Sequence, residues 1–277
     1  MSDVNVAVPE VRSHNSAPPR TIVLLAFCAA TVLLIPLEAW IPGLVAWAVS
    51  VIALRWCDVV FRRRLAVLLG VILLLALAPI NTDRSTPHWL VLAPCFAAAV
   101  FGPWLIFRKT DPGVIDWCFW PRRFRWLDII YTAVSVPVAW VVIPWYFFQI
   151  NPDLPTHWSM PAVYSDEAFW RLFSGINAVG IWDELFFINI VYATLRSVVP
   201  VRVANVVQAV VYASVLNDMA FTGIGPVLIY LFALTQGSMY EQSRTLLYVL
   251  IVHLVVDAFL VSNILTFYYP GGVPFWF

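Results

Sequence analysis

Charge is what this chain has least of. Only 12% of its 277 residues are Asp, Glu, Lys or Arg, and 62% are apolar. A soluble domain carries about 25% charged and about 45–50% apolar residues, so an ordinary soluble globular protein is excluded. The sixteen basic and sixteen acidic residues cancel, which leaves no basic field to draw nucleic acid. Cysteine is equally sparse: Cys28, Cys57, Cys95 and Cys118 form no CxxC pair and no disulfide framework. HExxH and G-x-S-x-G are both missing, which removes the common zincin and serine-hydrolase signatures. There is no internal repeat, and that counts against a carrier built from duplicated halves.

What is present is length in apolar runs, with fourteen Trp, ten Tyr and nineteen Phe to populate interfacial belts and a core. A membrane-crossing helix needs roughly 20 apolar residues. Candidate spans cover 21–37, 40–54, 65–80, 88–107, 127–148, 169–195, 202–221, 224–240 and 245–267; the first two are short enough for a re-entrant hairpin. The expected fold class is all-α, a polytopic transmembrane helical bundle of about eight or nine spans. It is expected in the plasma membrane, with the lipid bilayer as its first partner. Residues 1–20, polar and proline-containing, read as a disordered cytoplasmic tail. Residues 21–148 read as N-terminal transmembrane helices, 149–168 as an external loop, 169–267 as the helices that carry the chemistry, and 268–277 as a C-terminal tail. The run after the N-terminal tail has no A-x-A site to close it, so it is expected to be a retained span.

The basic residues orient these spans. With the N-terminus in the cytoplasm, the inside segments hold fourteen of the sixteen: Arg12, Arg20, Arg55, Arg62, Arg63, Arg64, Arg108, Lys109, Arg122, Arg123, Arg125, Arg196, Arg202 and Arg244. Only Arg84 and Arg171 fall outside. That is the skew the positive-inside rule requires.

Ionisable residues at membrane depth are expensive and face inward to partners. Asp183 and Glu184 lie in "WDELFFIN", His253 and Asp257 in "VHLVVDAF", and Asn217 and Asp218 late in the seventh span. Counted from the nearest arginine at about 1.5 Å per residue, Glu184 lies roughly 18 Å deep, His253 roughly 13–14 Å, Asp257 roughly 20 Å and Asn217 roughly 22 Å. Separate helices therefore bring these groups to one level. His253 and Asp257, at i and i+4, share a helical face. Asp183 and Glu184 diverge by about 100°, so only one is expected to point squarely at a site. A Glu beside a His in an apolar pocket can activate water as a general base. A zinc site wants three protein ligands, and Glu184, His253 and Asp257 are the candidates for a divalent metal; no other cofactor is indicated. The same His–Asp spacing also suits a purely structural interhelical clamp.

"DELFFIN" resembles "EELxFRG", the first motif of the CPBP family of intramembrane endopeptidases, which includes the CAAX prenyl proteases, bacteriocin-processing enzymes and lysostaphin-resistance-type proteins. "LTQGSMYEQSRTLLYVLIVHLVVDAF" is similar to that family's later helices, with Gly237, Tyr240, Glu241, Thr245, Leu246, His253 and Asp257 in step. "QAVVYASVLND" resembles the helix carrying FxxxH, with Tyr212 in the Phe position. The likeness covers about residues 165–265. It implies a helical bundle with an intramembrane site reached from the cytoplasmic side, where an acidic pair and histidines activate a water against a peptide bond. The substrate class implied is a membrane-bound or lipidated peptide. The sequence departs from the pattern at three places. Asp183 replaces the first Glu, Ile188 stands at the Arg, and Leu216 stands at the FxxxH histidine. Asn217 or Asp218 is then the candidate to replace the missing group, Asn217 only by a rotation or π-bulge of its helix. Two other readings stay open: a catalytically inactive family member that binds a membrane partner, and a proton- or ion-coupled carrier using Asp183, Glu184, His253 and Asp257 as a relay.

Overall fold

The computed structural model describes residues 18–121, 123–217, 219 and 221–271. The tail expected at 1–20 lies outside them through residue 17, as do Asp218 and the end of the C-terminal tail. Residues 18–20 already belong to the first helix. Among the described residues every regular element is helical. The elements are α1 (Pro18–Leu34), α2 (Trp40–Ala53), α3 (Val59–Leu77), α4 (Thr86–Thr110), α5 (Trp126–Trp145), α6 (Asp166–Asp183), α7 (Ala193–Arg196), α8 (Val201–Asn217), α9 (Gly225–Ser243) and α10 (Leu246–Tyr268). α5 widens into a π-turn, Tyr146–Ile150, directly after Pro144. α6 runs without a break through a π-helix, Glu184–Tyr192, into α7.

Local chemistry sets where these helices start. Asp58 caps α3 by accepting from the Phe61 N–H at 3.0 Å, and Ser165 caps α6 by accepting from Ala168 N–H at 3.2 Å. Asp166 and Glu167 in the first turn of α6 complement its dipole. Arg244, left-handed at φ 55°, turns α9 back on itself, and Thr245 caps α10 through the Leu247 N–H at 3.2 Å. That tight reversal fixes how far His253 sits below the turn.

Among the described residues four helical stretches are long and apolar enough to cross a membrane: Thr86–Thr110, Trp126–Ile150, Asp166–Arg196 and Leu246–Tyr268. Pro19–Leu34, Trp40–Trp56 and Val201–Asn217 are apolar but shorter. The chain is a membrane protein built on these runs. The Asp166–Arg196 stretch is the most enclosed of the four. Phe186, Phe187, Ile188 and Ile190 are fully buried along it, as expected of a helix surrounded by others.

Side chains fasten the helices at two opposite ends. At the arginine-rich end Arg63 and Arg64 reach Asp111 at 2.6 and 3.2 Å, Arg196 reaches Glu241 at 3.3 Å, and Arg125 donates to the Gln242 carbonyl at 2.9 Å. At the other end Thr82 donates to the His157 carbonyl at 2.6 Å, Tyr146 to that of Thr222 at 2.8 Å, and Tyr269 to that of Pro161 at 2.7 Å.

Asp111 closes the first end and carries a testable consequence. Burial pushes its carboxyl up, but the Arg63 and Arg64 guanidiniums more than offset this and hold it below the usual carboxylate range. A depressed carboxylate contributes stability that is present above its unfolded pKa and lost as pH falls through the folded one. Asp111→Asn is therefore expected to lower stability by about 1–2 kcal/mol at neutral pH, since two partly exposed cations lose their partner. The gap between wild type and variant should close below roughly pH 4. Thermal melts across pH in detergent check this; a gap that widens on acidification would contradict it.

Candidate active site

Four elements meet at His253. The imidazole projects from α10, 5% exposed, with Glu184 on one edge and two aspartates on the other. Nδ1 lies 2.8 Å from Glu184 Oε1. Nε2 lies 3.5 Å from Asp183 Oδ2 and 3.6 Å from Asp257 Oδ1. Glu184 is wholly buried, and Asp183 and Asp257 are 2% and 4% exposed. Of the groups expected at one depth, Glu184, His253 and Asp257 are thus in direct contact, with Asp183 beside them.

Both acids of the pair reach the same ring, which corrects the expectation that only one would. The reason is the π-helix that begins at Glu184. Its i→i+5 bonding widens the turn, so Asp183 and Glu184 pass on either side of the imidazole.

Glu184 is held from three sides. Tyr212 Oη of α8 donates to its Oε1 at 3.0 Å, and Gln236 Nε2 of α9 does so at 2.9 Å. His253 Nδ1, facing the same carboxylate oxygen at 2.8 Å, is assigned as the third donor because a carboxylate only accepts. Tyr212 Oη also lies 2.9 Å from Nδ1. Gln236 is itself placed by donating to the Val249 carbonyl at 2.9 Å and accepting from Tyr131 Oη at 3.0 Å. Aromatic contacts lock the frame: Trp182 stacks on Phe96 at 3.8 Å between centroids, Phe187 on Tyr212 at 4.1 Å, and Phe232 meets His253 edge-on at 5.6 Å.

A cavity of about 530 Å³ opens beside the ring. Asp183, His253 and Asp257 line it together with Gly180; Glu184 does not, standing behind the imidazole. Apolar residues, mainly from α4, α5, α6, α9 and α10, form most of the rest of the wall, among them Trp89, Val138, Val142, Ile176 and Phe232. Asp183 Oδ1 and Asp257 Oδ2 are buried and without hydrogen-bond partners. Buried carboxylate oxygens normally find partners, so these two are the atoms able to hold a water or a substrate group.

The seventh span shows which residue faces inward. Leu216 lines the cavity, whereas Asn217 is half-buried and is not part of the wall. α8 stays α-helical through Asn217, so neither the rotation nor the π-bulge that would bring Asn217 in is present. Asp218 lies outside the described residues. The three suggested metal ligands do not surround a common point, because Glu184 meets Nδ1 while Asp257 meets Nε2 on the opposite edge. Among the described residues no group of three or more His, Cys, Asp or Glu is arranged to hold a metal ion.

Residues 165–259 match the family described as "Rce1-like: Type II CAAX prenyl endopeptidase Rce1-like". This segment is similar to the Rce1-like family. No curated protein and no solved structure matches the chain. The Rce1-like segment spans about a third of the chain and contains each residue that touches His253, from Asp183 to Asp257. The family is one of endopeptidases, which carries a peptide hydrolase at the level of the family. Inside the Rce1-like segment, sequence reasoning missed Tyr212 as a hydrogen-bonding partner and Gln236 altogether. Gln236 has Thr235 and Ser238 as near neighbours in α9, so nothing in the sequence set it apart. Gly180 was missed as well, and only coordinates reveal it: a Cβ there would lie 2.0 Å from Asp257 Oδ2 and 2.7 Å from His253 Cδ2.

Proposed function

We propose that the chain is a divergent CPBP-like intramembrane endopeptidase that hydrolyses a peptide bond of a membrane-associated or lipidated substrate with an activated water. It lies in the plasma membrane with its N-terminus in the cytoplasm, and its helices make eight or nine passes, about as many as the apolar runs allow. The observation that carries the reading is the orientation of His253. Glu184, fixed by Tyr212 and Gln236, accepts from Nδ1–H. That leaves Nε2 as the acceptor turned to the cavity, in the manner of a carboxylate-oriented imidazole base.

A water held by Asp183 and Asp257 loses its proton to Nε2 as its oxygen bonds to the substrate carbonyl carbon. The proton then passes from Nε2 to the leaving nitrogen as the C–N bond breaks, giving a carboxylic acid and an amine. Glu184 acts as a positioning residue here, behind the ring rather than at the water. Asn217 takes no step, being off the cavity wall. No step is routed through a metal, because Glu184 and Asp257 address opposite ring nitrogens.

Leu216 favours a second reading, a family member that binds a membrane peptide without cleaving it. Where the family pattern has a histidine, the wall is apolar. Reconstitution in liposomes with a lipidated or single-pass test peptide separates the two. Under the hydrolase reading the native protein releases product, and Leu216→His, which adds an acid–base group to the wall, raises the rate by up to about 10²-fold. Product from Leu216→His alone rejects hydrolysis by the native chain and favours the binding reading; product from neither rejects hydrolysis. Ile188→Arg is no companion repair, since Ile188 is fully buried in the apolar core and an arginine there would be an unpaired buried charge. The carrier reading loses its structural support, because the helix bearing Asp183 and Glu184 is continuous from Asp166 to Arg196.

A further inference from the structure

The cavity and the arginines lie toward opposite ends of the bundle. From His253 the wall runs along α6 back to Arg171 and reaches Asn81, Thr82, Asp83 and Arg84 at the start of α4. The same five residues also line a polar vestibule of about 610 Å³, completed by residues that include His157, Ser159 and Glu167. Apolar cavity and polar vestibule therefore adjoin across these five side chains.

The other direction is plugged. Past His253, toward the arginine-rich end, come Glu184, Tyr212 and Gln236, then buried Asn189 accepting from Tyr240 Oη at 3.4 Å. Beyond these, Tyr192 donates to Glu241 at 2.9 Å, and Arg196 and Arg244 pair with the same carboxylate.

We propose that the site is reached from the arginine-poor end, which the positive-inside rule places on the extracytoplasmic face, and that its substrate is a membrane-anchored peptide presented on that face. The apolar segment of the peptide occupies the cavity, and its polar juxtamembrane segment lies in the vestibule. The word substrate rests on the hydrolase reading; the position of the mouth does not. A cytoplasmic protein with a lipidated C-terminus would approach from the plugged end. The vestibule suits a polar peptide better than an anionic lipid headgroup. Arg171 is already engaged by Glu167 at 3.1 Å and Thr86 at 3.2 Å, Arg84 donates to the Ser159 carbonyl, and Asp83 and Glu167 balance the two cations.

The test uses the full chain with its four cysteines replaced, carrying one new cysteine at a time: Thr82→Cys at the mouth, Val142→Cys on the cavity wall and Ser197→Cys at the arginine-rich end. A small charged thiosulfonate that cannot cross lipid is added to spheroplasts or to inside-out vesicles. Thr82→Cys and Val142→Cys are expected to react at least tenfold faster in spheroplasts, and Ser197→Cys at least tenfold faster in inside-out vesicles. Val142→Cys reacting faster in inside-out vesicles would overturn the proposal. So would Val142→Cys protected from both sides while Thr82→Cys reacts, because the chamber would then be sealed. In a second arm, single-pass peptides displaying the cleavable segment on one face or the other are co-expressed with the native protein. Cleavage of the cytoplasmic display alone overturns the proposed substrate. Cleavage of neither, with the sided labelling intact, faults the hydrolase reading and leaves the mouth where it is.

Discussion

His253→Ala is expected to lower kcat for cleavage of a reconstituted membrane peptide by about 10²–10⁴-fold, the span for loss of a positioned acid–base group. KM should change little, because the lost proton transfer matters only in the transition state. The variant also leaves Glu184 one donor short in a buried position, so a stability loss of about 1–3 kcal/mol accompanies it. Rates are therefore compared well below the melting temperature. Glu184→Gln probes the other half of the pair and is the sharper test. The carboxamide keeps size and one acceptor oxygen, yet can present an N–H to Nδ1 and force the proton onto Nε2. In a serine protease the equivalent carboxamide costs about 10⁴ in kcat through the wrong tautomer, and a similar loss is expected here, together with a stability loss of about 1–3 kcal/mol, because the Oε1 that faces Nδ1 also accepts from Tyr212 and Gln236. Cleavage that survives both substitutions would remove His253 and Glu184 from the chemistry.

Gly180→Ala is expected to act almost as strongly, from a residue with no functional group. Its new methyl would press on the Asp257 carboxylate, 2.0 Å from Oδ2, and on the imidazole edge at 2.7 Å. Asp257 and His253 cannot both yield, since Nδ1 is tied to Glu184 and both side chains are themselves buried. Overpacking of this kind costs about 1–3 kcal/mol. A displacement of about 1 Å at a reacting group can cost about 10²-fold in rate. Pairing Gly180→Ala with Asp257→Gly should restore much of the lost melting temperature without restoring cleavage. If Gly180→Ala cleaves at the native rate, α6 and α10 do not approach closely enough for Asp257 to serve the site.

The helical class and the meeting of Asp183, Glu184, His253 and Asp257 were legible because burying a charge in an apolar run demands partners, and helical rise sets the depth of each. For sidedness the arginines carry an expectation, through the positive-inside rule. The geometry within the site was not. An α-helical wheel separates Asp183 from Glu184 and sets Asn217 apart from Leu216; the chain departs from that wheel at Glu184 and obeys it at Leu216. No periodicity in "ELFFINIVY" marks the change, since nearly every residue there is apolar and buried on all sides. Tyr212 and Gln236 escaped for the opposite reason: each reads locally as an ordinary helix residue, and its importance comes from what another helix holds opposite it. The number of passes also outran the sequence, because α2, at 14 residues, is shorter than a single crossing requires and α1, at 17, only just reaches that length.

The wide turn from Glu184 to Tyr192 also makes this stretch unforgiving of insertions and deletions. A π-segment fits more residues into each revolution than an α-helix does. Losing one residue there would let the run relax to ordinary winding with its oiliness unchanged. The acids would then splay apart at one end, and Arg196 would swing out of register with Glu241 at the other. Variation in chain length among proteins built this way should therefore collect in the connections between helices and spare these nine positions.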